Sequence, residues 1–207
     1  MEYINKYFDK IIFIHCKHRL DRMENIKLLL EKTKLTNYII LEATYLPKNG
    51  AKGCSHSHYR AMDMAINNNW DKVLIIEDDF QFNNDIDFEN IIKQVNDDWD
   101  VLMLNWQLNN VIQRSHIITK NLRKLKTRKH VACLTSCYCV NKKLIPILRD
   151  LFLESFNKLS NNFVAKETYE LRLACDTIWH NLQIQKKWYL VDPKIGYCID
   201  SKSDINP

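Results

Sequence analysis

The stretch Val73-Leu74-Ile75-Ile76-Glu77-Asp78-Asp79 decides the fold. Bulky apolar residues run straight into adjacent carboxylates. An unbroken apolar run reads as a strand covered on both faces, as in a parallel sheet; a half-solvated strand would alternate. Neighbouring carboxylates repel one another, so they are expected outside a dry core. Their place is the carboxyl end of the strand, where open α/β sheets put their ligands. Alternation sends Glu77 and Asp79 to one side and Asp78 to the other. Two hard oxygen donors on one face suit Mg²⁺ or Mn²⁺, shared with the phosphates of a ligand. An acidic turn after a core strand is the plainer alternative.

The segments on either side fit the same architecture. Ile11-Ile12-Phe13-Ile14 reads as a first strand, ending in a polar and basic loop from His15 to Arg22. Asp21 is placed to cap the next helix, in which Met23, Ile26, Leu29 and Leu30 recur at helical spacing. Arg19 and Arg22 follow the carboxyl end of that strand, where they can meet a nucleotide or its phosphates; a solvated helix start is the alternative. Tyr38 to Ala43 reads as a second strand, Lys48 to Gly53 as a loop, and Cys54 to about Asn68 as a helix leading to the Val73 strand. Strand, helix, strand is the order of a parallel α/β sheet.

Later elements are expected as follows. Asn83 to Gln94 reads as a short helix after the acidic loop, and Trp106 to Asn110 as a loop beside the site. Lys120 to His130 is densely basic. It is read as a solvated flexible segment, with a diphosphate or anionic acceptor as its other possible partner. Val131 to Val140 reads as a strand with Cys133, Cys137 and Cys139 as small core residues. A helix carries Pro146 in its first turn, a second spans Tyr169 to Gln183, and Trp188 to Val191 is a last strand.

The chain has 207 residues, which favours a single α/β domain over 1–207. A net charge of +5 suits an anionic small molecule and is too mild to argue for nucleic acid. No stretch approaches the roughly 18 apolar residues of a membrane span. Met1 to Lys10 lacks the apolar core of a signal peptide, so a cytoplasmic setting is expected. The seven cysteines are odd in number and lack a paired C-x-x-C framework, so free thiols are expected. Cys54, His56 and His58 hint at zinc, but a structural zinc normally needs four ligands and no second pair stands at fitting spacing. A helix N-terminus packed on the sheet is the preferred reading; the third is that His58 lies near the ligand.

Gly53-Cys54-Ser55-His56-Ser57-His58, then a helix, then Val73 to Phe80 ending Glu77-Asp78-Asp79, resembles glycosyltransferase family 25. The family pattern is Gly-Cys, two residues, Ser-His, a helix, and an apolar strand ending Glu-Asp-Asp. The Arg19 to Arg22 loop is similar to the family's opening, although His15 stands where an Asn is usual. Asp100 to Leu104, Tyr138 to Leu148, Asp176 and Ser203-Asp204-Ile205 are looser matches.

The resemblance implies a GT-A fold, a Rossmann-like α/β sandwich with a mostly parallel sheet, that binds a nucleotide-sugar. It implies a metal-dependent, inverting transfer of a hexose, such as galactose or glucose, from a UDP-sugar donor to a hydroxyl of a glycan or protein acceptor. Asp79 would hold Mn²⁺ or Mg²⁺ against the donor diphosphate, with Glu77 binding the metal through water or orienting the ribose. Arg19, Arg22, Ser57, His58 and Asp78 would line the donor site. Asp176 would take the acceptor proton. Many GT-A enzymes complete the metal shell with a late His; none follows His180 here, which leaves Asp204 or Asp200 for that place. One rival is an inactive nucleotide-sugar-binding module. The other is a receiver-like phosphoacceptor domain, which also carries a strand ending Glu-Asp-Asp. Its phosphorylated Asp, however, ends a later strand, and the comparable strand here ends Leu104-Asn105.

Overall fold

The computed structural model describes residues 2–83, 87–108, 110–160 and 172–200. After a short helix α1 (Glu2–Tyr7) come β1 (Lys10–His15), α2 (Leu20–Thr33), β2 (Tyr38–Glu42), α3 (Gly50–Asn67) and β3 (Lys72–Glu77). The chain continues through β4 (Phe80–Phe82), α4 (Phe88–Val95), β5 (Val101–Met103), α5 (Val111–Arg114), β6 (Ser115–Thr119) and β7 (Leu122–Leu125). It closes with β8 (Cys137–Asn141), α6 (Ile145–Lys158), α7 (Leu182–Gln185), β9 (Trp188–Val191) and β10 (Gly196–Cys198).

Among the described residues, eight strands form one sheet in the order β2-β1-β3-β8-β5-β9-β7-β6. β2, β1, β3, β5, β9 and β6 point one way; β8 and β7 run against them. The sheet is thus mostly parallel, as expected. β4 and β10 form a separate antiparallel pair beyond the end of β3. The apolar run of β3 is divided between two cores. Leu74 and Ile76 join Ile26 and Leu29 of α2 on one face, and Val73 and Ile75 join Ala61 and Met62 of α3 and Leu148 and Phe152 of α6 on the other. Being covered on both faces is why β3 is apolar throughout.

Several elements differ from the sequence expectation. α3 starts at Gly50, because the Asn49 side chain accepts the Lys52 N–H at 2.9 Å and caps the helix inside the stretch read as a loop. Asp21 is not a cap: it lies in the first turn of α2, and its carboxylate meets the Arg19 guanidinium at 2.6 and 2.9 Å. The strand expected over 131–140 begins only at Cys137. Leu134 sits at φ 82 and breaks the extended run. The stretch 172–181 makes turns, many of them bonded over three residues, in place of the continuous helix expected from Tyr169; 169–171 lie outside the described residues. Within the basic stretch from Lys120, Leu122–Leu125 form β7 at the sheet margin rather than free loop, and Arg123 pairs with Asp192 at 2.5 Å. Trp106 is not among the residues lining the cleft at the end of β3; its ring N–H donates to the Val191 carbonyl at 2.8 Å. All seven cysteines are free thiols, though Cys198 is exposed rather than in a core.

Gly53 shows why α3 can pack so closely. A Cβ built there would stand 2.4 Å from the Thr44 carbonyl oxygen in the loop after β2. Backbone cannot move aside as a side chain can, so Gly53→Ala is expected to destabilise the chain by about 1–3 kcal/mol. Urea denaturation would check it; an unchanged midpoint would show that the loop yields freely.

Candidate functional site

The acidic end of β3 is held from two sides. Asp78 is 3 % exposed, contrary to the expectation that all the carboxylates stay out of the dry core. Its Oδ1 accepts from Arg22 Nη1 at 2.8 Å, and its Oδ2 accepts from the Cys16 backbone N–H at 2.9 Å and meets His15 Nδ1 at 2.9 Å. Its backbone carbonyl accepts from Asn25 Nδ2 at 2.8 Å. A buried carboxylate is tolerable when both oxygens are met by charge-assisted donors. Asp78 therefore bolts β3 to the end of β1 and the start of α2, and its oxygens already have internal partners.

Glu77 turns towards α3 and the loop before β8. Its Oε1 accepts from Thr135 Oγ1 at 2.6 Å and lies 3.0 Å from His58 Nε2. Burial works to raise its carboxyl, but the bonds from His58 and Thr135 and the Arg22 charge outweigh it and hold it below its ordinary value. Glu77 is thus ionised, so His58 Nε2 faces it as an N–H donor, and the other ring nitrogen, Nδ1, lies 2.9 Å from the Tyr138 hydroxyl. His58 is fully buried and orients Glu77 from behind.

Asp79 is left facing the cleft. Its Oδ2 lies 3.4 Å from Arg22 Nη2, while its Oδ1 is buried without any hydrogen-bond partner. Burial and the neighbouring Glu77 charge push its carboxyl up to about 7, with Arg22 opposing them. An orphaned, buried carboxylate oxygen among hard oxygen donors fits a divalent cation. The surrounding cleft encloses about 610 Å³ including its open mouth. Arg22, Tyr45, Gly50, Ser57, His58 and Glu77 are among its walls, with Asp78 and Asp79 at its acidic edge.

Of the other residues singled out in the sequence, Ser57 lines the cleft, but its hydroxyl donates to the Gly53 carbonyl and accepts the Thr44 N–H, each at 2.8 Å. It splints α3 to the β2–α3 loop. Arg19 pairs with Asp21 and is not among the cleft walls. Asp176 also lies off those walls; it accepts the Leu134 N–H at 3.4 Å, and burial raises its carboxyl. Asp204 lies outside the described residues. The sequence reading missed Asn25, Thr135 and Tyr45. Asn25 had a signal: Arg22 and Asn25 extend the stripe of Ile26 and Leu29 at helical spacing, so a polar pair on the inward face points to a buried charge. Thr135 had none, since only the tertiary fold brings it to Glu77.

A mostly parallel α/β sandwich with carboxylates at the carboxyl end of its third strand is the architecture of a GT-A-type glycosyltransferase. The chain belongs to glycosyltransferase family 25, whose profile, described as an LPS biosynthesis protein, matches residues 46–172. The fold is similar to that of the A197 protein from STIV, at 14% identity and a TM-score of 0.52, over 93% of this chain and 86% of that one. It is also similar to a glycosyltransferase involved in the glycosylation of the major capsid of PBCV-1, at 12% identity and a TM-score of 0.52, over 89% of this chain and 81% of that one. No curated protein sequence matches the chain. Among the described residues, no helix is long and apolar enough to cross a membrane.

The raised carboxyl of Asp79 has a measurable consequence. Its folded value of about 7 stands above the ordinary 3.8, so between these values the folded state keeps a proton that the unfolded state has released. With a chelator present, its contribution to stability falls as pH rises through that window. Asp79→Asn should therefore be more stable than the parent at pH ~8, by about 1–3 kcal/mol, with the difference gone near pH ~4. Denaturant curves at the two pH values decide it; a variant no more stable than the parent at the higher pH would contradict the strained carboxylate.

Proposed function

We propose that the cleft binds a nucleoside-diphosphate sugar together with Mn²⁺ or Mg²⁺, and that the enzyme transfers a hexose with inversion to a hydroxyl of a glycan or protein acceptor. The observation that carries this reading is Asp79, with one buried oxygen unpartnered at the cleft edge in a member of a glycosyltransferase family. Asp79 is the residue that would hold the cation, with Glu77 reaching it through water or orienting the ribose. The ion would supply positive charge against the diphosphate as the nucleotide departs. UDP is the nucleotide implied by the resemblance.

The chain's own residues then divide the work. Asp78 fixes Arg22, and the Arg22 guanidinium gives the acidic edge a fixed positive neighbour. Gly50 brings the N-terminus of the 18-residue α3 to the cleft wall, a favourable setting for phosphate oxygens. His58 and Thr135 hold Glu77 ionised and oriented. Asp176 is the proposed base: burial raises its carboxyl, which makes its carboxylate a stronger proton acceptor than an exposed one. Asp204 remains the proposed late cation ligand.

Calorimetry with UDP-sugars should show tighter binding with Mn²⁺ than with chelator, and Asp79→Asn should lose most of that gain. Equal affinity with and without the ion would defeat the cation reading. On a confirmed donor and acceptor, Asp176→Asn should lower turnover roughly 10²- to 10⁴-fold with little change in donor binding. Near-normal turnover would remove Asp176 from the chemistry and point to Asp200 or Asp204.

A further inference from the structure

Beside the acidic edge, a second group of side chains converges. Cys54 and His58 stand four residues apart on α3 and so share one face of the helix. Cys175, 121 residues beyond Cys54, arrives from the turns of 172–181, and the two sulfurs lie 3.3 Å apart. One donor atom from each of Cys54, His58 and Cys175 falls within 4.8 Å of the others. Cys175 and His58 are buried, and Cys54 is half-buried. Cys54 and His58 also line the cleft, whereas Cys175 closes the group from behind.

The geometry points to a zinc site formed by Cys54 Sγ, Cys175 Sγ and one ring nitrogen of His58, with its fourth position towards the cleft. The chemistry favours this ion. Two thiolates and an imidazole are soft to borderline donors, unlike the oxygen donors around Asp79. Two cysteines at tetrahedral zinc, with Zn–S about 2.3 Å, stand roughly 3.8 Å apart, so the sulfurs need to open by about half an ångström. Both thiols lose their protons to solvent on binding, and the two thiolates balance the charge of the ion. His58 exchanges one present partner, Tyr138 or Glu77, for the ion and keeps the other. A metal-bound histidine ordinarily has such a partner on its far nitrogen. The site's donor atoms differ from those of the proposed Asp79 cation site, which it adjoins through the His58–Glu77 contact. Its effect on the fold is to tie α3 to the turn that carries Asp176, the residue after Cys175.

The test uses the full chain, purified with reductant and without chelator. Elemental analysis should find about one zinc per chain. Cobalt added to the metal-free reduced protein should give thiolate charge-transfer absorption in the near ultraviolet and the visible bands of a tetrahedral ion. Cys54→Ser and Cys175→Ser should each weaken metal affinity more than 10-fold, a loss at least as large as that from removing an outer-shell partner. Cys198→Ser, which alters an exposed thiol outside the group, should not. Should the serine variants fail to fold, the parent decides alone: zinc should protect Cys54 and Cys175 from alkylation, and a chelator should release them. Equal alkylation with and without zinc, or a cobalt spectrum lacking thiolate bands, would overturn the site.

Discussion

The buried charge of Asp78 governs the rest of the site. A carboxylate taken out of water costs several kcal/mol unless its oxygens are met by matched donors. Here the donors come from the end of β1 and the first turn of α2: the Cys16 N–H, His15 and Arg22. Satisfying Asp78 thus fixes the ends of β1 and β3 and the seating of α2 at once. It also sets the directions of its neighbours. With Asp78 turned inward, Glu77 meets the buried His58 and Asp79 is left at the cleft. One side chain is neutralised so that the next can remain unsatisfied.

The two carboxylates flanking Asp78 have opposite fates. Glu77 has two hydrogen-bonding partners on one oxygen and is pulled below its ordinary value, while Asp79 lacks a partner on one oxygen and is pushed up. Environment rather than residue type decides these roles, as expected where burial and neighbouring charge differ within a few ångströms. Leu134 belongs to the same arrangement. Its backbone lies in the left-handed region, a rare state for a bulky residue, and that bend brings its own N–H to Asp176 and the Thr135 hydroxyl to Glu77.

The central sheet was legible because β3 is apolar on both faces, and local pattern carries that information. The acidic cluster was legible for the same reason: charges ending such a run have only the sheet's edge to occupy. What escaped was set by distance along the chain. Nothing near Asp78 announces that Arg22 and His15 will meet its oxygens, so the local pattern points to an exposed carboxylate where the fold buries one. Nothing near Cys54 announces Cys175. The start of α3 departs from the sequence expectation because glycine usually marks a loop, whereas Gly53 serves close packing within a helix. The stretch 172–181 carries helical spacing but makes turns, since propensity is a weak prior against tertiary demands.

The position of β8 sets an order on folding. It lies between β3 and β5 and runs against both, yet it enters the sheet only at Cys137. Until that part of the chain is available, β3 presents an unpaired apolar edge and Glu77 lacks its Thr135 partner. Such long-range pairing closes slowly, because the entropy of the intervening loop is lost before any contact repays it. The N-terminal half can assemble β2, β1 and β3 from near neighbours and carries the lining residues of the cleft, but Glu77 and His58 gain Thr135 and Tyr138 only once the C-terminal part has threaded its strand into the middle. The order of the acidic edge therefore waits on completion of the whole sheet, and a chain cut short of β8 would hold the acidic motif without the Tyr138 hydroxyl that meets His58 behind it.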